Sequence, residues 1–182
     1  MGREIRMVPP NWDHPKVMRS YGREEFQPMH DECFEDAAKQ WKDEFVKWES
    51  GGRAAAGEDY ATAEFWEYHG SPPDREYYRP WKDEEATWYQ LWETVSEGTP
   101  VSPPFATKDE LIEYLVANGD YWDQQRREDI KAGRYCGMNC DPWPREVAER
   151  FVHGSGWAPS LVMTNGVIQD GVRALNQGNA SH

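Results

Sequence analysis

Aliphatic side chains are scarce in this chain. Leu, Ile, Val and Phe together account for 26 of its 182 residues, and the formal charge is -13. Those two figures taken alone describe a disordered polymer. Basic residues are also outnumbered, 20 Lys and Arg against 33 Asp and Glu. They stand singly among acids, as in REEFQP and RREDIKAGR. Binding to a phosphate backbone takes clustered cations, so direct nucleic-acid binding is not expected. The three cysteines, Cys33, Cys136 and Cys140, are an odd number. They do not make the disulfide framework of a secreted domain and fit a reducing cytoplasm. No run approaches the length of a membrane span, and MGREIRMVPPNWDHP holds no apolar stretch of signal-peptide length. The same start has Arg where a myristoylation pattern needs Ser or Thr, so neither a lipid anchor nor a membrane partner is expected. There is no glycine-rich phosphate loop, no G-x-S-x-G elbow, no H-E-x-x-H and no kinase signature set. These absences lower the case for an enzyme, and no cofactor is expected.

Aromatic residues are what the chain has instead. It carries 10 Trp, 9 Tyr and 6 Phe, and each ring can bury roughly 150–250 Å². Disordered chains lack such residues, so the composition describes a folded domain with an aromatic core and an acidic exterior. The length suits one domain, residues 1–182.

The pattern along the chain predicts a small α+β domain with several short helices and a small antiparallel sheet. Four prolines within residues 1–30 predict an extended, irregular N-terminal arm lying over the core. A helix is expected after Asp31 as N-cap, with Phe34, Ala37, Trp41, Phe45 and Trp48 on one stripe and Gly51-Gly52 at its end. A short helix in YATAEFWEYHG stops at Gly70. Trp88 to Val95 reads as a strand, SEGT as a turn, and PVSPPF as extended chain. Thr107 and Glu110 form a capping box for the next helix, which Asn118-Gly119 closes. Residues 120–143 read as an irregular polar segment. PREVAERFVHG is another short helix, with Val147, Ala148, Phe151 and Val152 inward. SLVMTNGVIQDG reads as a C-terminal hairpin turned by Asn165-Gly166, and residues 174–182 as a frayed tail.

Few constellations carry chemistry. Cys136, Cys140 and His153 supply zinc-type ligands, but a second tight pair is missing, so no metal is expected. His30, Asp31, Glu32 and Cys33 sit side by side at a helix start, where neighbouring side chains diverge, and no catalytic group is expected there. Glu93 and Glu97 would divide acid and base roles only if burial separated their pKa values. The best-specified loop is VSEGTPVSP: the hydroxyls of Ser96, Thr99 and Ser102 around Gly98, beside Trp88 and Trp92 as stacking faces and Glu93 and Glu97 as acids. Those eight residues are the candidate binding site, and none is expected to be catalytic.

The stretches VPPNWDHP, WYQLWETVSEGTPVSPPFATKDELIEYL and GWAPSLVM resemble a family of small acidic proteins encoded by bacteriophages and prophages. The shared features are a Val-Pro arm, a Tyr-Gln-x-aromatic-Glu-Thr core and a Ser-Glu-Gly-Thr-Pro turn before a helix. RYCGMNCDP departs from that pattern, and no functional residue carries over. The resemblance implies a viral accessory protein in the host bacterial cytoplasm. Acidity and the absent catalytic motifs then favour binding to a host or phage protein through an acidic surface, in a counter-defence role of the anti-CRISPR or anti-restriction kind. The alternatives are an enzyme acting on a nucleotide or nucleobase, with Trp88 or Trp92 facing Glu93 or Glu97 across a pocket, and a virion or morphogenesis component.

Overall fold

Strand-forming and helix-forming segments interleave along the chain, and the computed structural model describes residues 2–20, 22–60, 62–95, 97–134, 140–164 and 166–175. Within them the strands are β1 (Arg3–Val8), β2 (Lys16–Met18), β3 (Glu24–Phe26), β4 (His30–Cys33), β5 (Tyr78–Arg79), β6 (Trp88–Glu93), β7 (Thr99–Pro100), β8 (Trp157–Ala158), β9 (Leu161–Thr164) and β10 (Val167–Asp170). The α-helices are α1 (Phe34–Lys47), α2 (Arg53–Ala55), α3 (Phe65–His69), α4 (Lys108–Asn118), α5 (Tyr121–Lys131), α6 (Arg145–His153) and α7 (Gly171–Ala174). The chain is α+β, with small antiparallel sheets that include a C-terminal hairpin. No helix among the described residues is long and apolar enough to cross a membrane. Contacts gather into two compact units, Met29–Lys82 in one and the residues on either side of it in the other.

The larger unit is built on a four-stranded sheet in the order β7-β6-β1-β8. β1 runs antiparallel to β6 in unbroken register from Arg3↔Glu93 to Val8↔Trp88, and pairs with β8 along its other edge. The expected irregular arm is therefore corrected over its first residues: Arg3–Val8 is an inner strand. The strand is hard to read from its sequence because two of its buried positions, Arg3 and Arg6, are charged, with Val8 the third. Prolines 9 and 10 end the strand instead of preventing it. Further on, Lys16–Met18 and Glu24–Phe26 close a second hairpin, β2–β3.

Over this sheet lies a core that is mainly aliphatic. Leu91 and Val101 meet Leu111, Ile112 and Leu115 of α4 and Val147, Phe151 and Val152 of α6, with Trp143 among them. The few aliphatic residues are concentrated where helices α4 and α6 pack. The capping box forms as the sequence predicts: Glu110 N–H donates to Thr107 Oγ1 at 3.1 Å and Thr107 N–H donates to Glu110 Oε2 at 3.1 Å. Residues 120–143 need correction. Asp120 caps a regular 11-residue helix, α5, through a second capping box with Asp123. Its apolar signal is weak because the buried side is anchored by polar groups, Asp123 above all. The C-terminal hairpin pairs Thr164 with Val167 and Leu161 with Asp170. Asn165, Cys136 and residues 176–182 of the tail lie outside the described residues.

In the smaller unit, His30–Cys33 is a strand that runs parallel to Tyr78–Arg79, so α1 starts at Phe34 and Asp31 does not cap it. Pairing with β5 holds the segment extended where capping chemistry alone would start a helix. α1 continues through a π turn at Trp48–Gly52, kinked at Gly51 (φ 132°), into α2. Here the interior is aromatic: Phe65 has Trp41, Phe45 and His69 within 5.4 Å between ring centroids, and Trp48 at 6.1 Å.

Candidate functional site

The turn after β6 brings part of the predicted site to a cleft of about 510 Å³, within the range of small-ligand pockets. Glu93, Glu97 and Thr99 line it. The opposite parts come from segments that no sequence pattern linked to them: Lys16, Arg19, Arg23, Glu24, Glu25 and Phe26 of the β2–β3 hairpin, and Tyr121, Trp122 and Gln125 of α5. Tyr121 stacks on Phe26 with rings 13° from parallel, and burial pushes its phenol up to about 12.

Glu93 is the centre of this arrangement. It is 8% exposed, and its two oxygens are each held by a neutral donor. Thr99 O–H donates to Oε1 at 2.6 Å, and Trp122 Nε1–H donates to Oε2 at 2.9 Å. No cation of the described residues forms an ion pair with it. Two of the three cations that line the cleft are paired, Lys16 with Glu24 at 3.3 Å and Arg19 with Glu25 at 3.3 Å, and Arg23 is the third. The turn itself is fixed by Gly98, whose φ of 92° suits glycine. A Cβ there would lie 2.6 Å from the Arg6 guanidinium and 2.9 Å from the Glu93 carbonyl oxygen.

The other predicted residues go elsewhere. Trp92 is fully buried, its Nε1–H donates to Gln90 Oε1, and its face is taken by the Arg6 guanidinium 4.5 Å away. Ser102 is buried with its hydroxyl in use, accepting from Leu91 N–H and donating to Pro103 O. Neither Trp88 nor Trp92 lines the cleft, so the aromatic–carboxylate pair expected of a nucleotide pocket is not built from them. Trp122 stands in that place. Ser96 lies outside the described residues. Cys33 and Cys140 are buried thiols. No group of three potential metal ligands occurs among the described residues.

His14 borders the same sheet and carries a pH signature. Trp12 Nε1–H donates to its Nδ1 at 3.2 Å, so Nε2 carries the proton and meets Gln27 O at 2.7 Å. The ring also stands edge-on to Trp92, 4.9 Å between centroids. Burial, aided by the Arg6 charge, lowers its pKa from 6.5 to about 4. Between those two values the unfolded chain takes up a proton that the folded chain refuses, so stability falls as pH falls. We expect up to about 3 kcal/mol to be lost between pH 6.5 and 4 through this group. Urea unfolding at several pH values checks it, with His14→Phe flattening the profile in that window. A wild-type profile that does not fall there would refute the buried neutral ring.

A second cleft of about 300 Å³ lies beside a buried ionic network. Arg3 Nε–H donates to Asp120 Oδ2 at 2.7 Å, and both side chains are almost fully buried. Trp143 Nε1–H donates to Asp123 Oδ2 at 3.1 Å. Burial, with the Asp120 charge adding to it, pushes the Asp123 carboxyl up. The carboxylate pair brought together by the fold is thus Asp120–Asp123. It is tied into the helix start as a capping box, which makes it a part of the scaffold.

No protein-family model matches the chain, and no curated protein and no solved structure matches it either.

Proposed function

We propose that the chain is a bacteriophage or prophage accessory protein that acts in the host bacterial cytoplasm by binding a host protein. Its role on this reading is counter-defence, of the anti-restriction or anti-CRISPR kind. A basic segment of the partner enters the Glu93 cleft. The observation that carries the reading is the Glu93 carboxylate, nearly buried on neutral donors and in no ion pair among the described residues, beside the aromatic wall of Trp122, Tyr121 and Phe26. A Lys or Arg head group brought there gains a carboxylate and an aromatic face together. The overall charge of -13 draws such a partner in from a distance.

Titration with a short arginine-rich peptide, read by tryptophan fluorescence, tests the cleft. Binding should weaken as salt is raised, and Glu93→Gln with Glu97→Gln should weaken it about tenfold or more, roughly 1.4 kcal/mol. A glutamate-rich peptide of equal length should not bind. Binding of a nucleoside monophosphate in place of the peptide would favour the nucleotide-enzyme reading. The biological half is tested apart from the cleft: expression in a restricting host should raise the plating efficiency of a sensitive phage, and no change would defeat the counter-defence role.

A further inference from the structure

The β9–β10 hairpin has the wrong surface for a chain of this charge. Residues 160–169 hold no Asp, Glu, Lys or Arg, although such residues make up 29% of the sequence. Cross-strand pairing puts Leu161, Met163 and Ile168 on one face, and their exposures are 61%, 68% and 60%. Val167, on the other face, is 63% exposed. A two-stranded sheet is marginal alone and gains stability when more strands or a packed surface cover its apolar side. This hairpin pairs with no other strand among the described residues. Its apolar face also borders the second cleft, whose wall joins Trp143, Pro144 and Val147 to charged residues that include Arg126, Asp170 and Arg173.

We infer that a second copy of this chain covers that face, forming a twofold dimer. Each hairpin presents Leu161, Met163 and Ile168 to the other copy, and each cleft wall receives the apolar side chains that project from its partner. Three observations select this occupant. The one acid on that face, Asp170 across from Leu161, is occupied as the cap of α7, accepting from Val172 N–H and Arg173 N–H, so the face offers little to the basic partner that the rest of the surface attracts. Residues 160–169 carry no charge, so two copies, each at -13, can meet there without bringing like charges face to face. The exposed apolar side chains, with Trp157 (52% exposed) on neighbouring β8, amount to on the order of 500 Å² per copy, so two faces bury about 1,000 Å², the lower bound of a specific interface.

Salt separates this contact from binding in the Glu93 cleft. Screening relieves repulsion between two anionic copies, so dimerisation should strengthen as salt rises, opposite to capture of a basic peptide. Sedimentation velocity over a concentration series should show a reversible monomer–dimer equilibrium shifted to dimer at high salt. Met163→Glu and, separately, Ile168→Glu should each weaken the dimer tenfold or more. Val167→Glu, on the opposite face, should leave it within about twofold. All three positions are exposed, so each variant should keep the wild-type circular dichroism spectrum. A wild-type chain that stays monomeric across concentration and salt overturns the inference. A dimer that Met163→Glu leaves intact, or that Val167→Glu disrupts equally, also overturns it.

Discussion

Replacing Arg3 by methionine should lower folding stability by about 3–5 kcal/mol, the range for a buried ion pair deprived of one partner. Arg3 is 5% exposed and its Nε and one terminal nitrogen both reach Asp120 Oδ2 at 2.7 Å. Without it, Asp120, which is 2% exposed, keeps a backbone donor from Asp123 but no cation. The loss comes from stranding a charge, so the double variant Arg3→Met with Asp120→Asn should regain most of it. An amide at position 120 still accepts from Asp123 N–H and needs no counter-ion. Urea unfolding of the wild type and the two variants gives the comparison. A single variant that loses less than about 1 kcal/mol would mean the pair is solvated and Arg3 is not the anchor of β1.

Trp92→Ala should be as damaging, about 3–5 kcal/mol, the cost of emptying a large buried ring site. The indole is 1% exposed and lies between the Arg6 guanidinium and the His14 ring, with its N–H on Gln90. Trp92→Phe should recover about half, since packing returns while the hydrogen bond does not. Peptide binding in the Glu93 cleft, measured where Trp92→Phe is still folded, should stay within a few-fold of wild type. A ligand-stacking tryptophan would give the reverse pattern, intact stability with lost binding, and that result would restore Trp92 to the site.

Local chemistry was legible in the sequence where it was self-contained. The Thr107–Glu110 box, the stop at Gly70, the strand at Trp88 and the pairing of Leu161–Thr164 with Val167–Asp170 each depend on residues a few positions apart. β1 was hidden because two of its buried positions are arginines, Arg3 held by Asp120 more than a hundred residues away and Arg6 by the Glu97 carbonyl and the Trp92 ring. α5 was hidden for the same reason, its buried anchor being an aspartate. The start of α1 moved because β5 claims His30–Cys33. Of the candidate site, the sequence disclosed the turn with Glu93, Glu97 and Thr99. Trp122 and the β2–β3 hairpin arrive by tertiary packing, and no spacing rule connects them to it. The aromatic interior anticipated from composition describes the smaller unit, while the larger unit gathers its aliphatic residues onto α4 and α6.

The place of β1 has a consequence for how the protein comes off the ribosome. Its partners are Trp88–Glu93 on one edge and Trp157–Ala158 on the other, so the strand is synthesised long before both of its edges are satisfied. Closing such distant pairings is slow compared with forming a helix. Through that interval a strand with one open edge is exposed to other nascent chains. Yield of the native protein should therefore depend on translation speed and chaperone supply more than its modest size suggests.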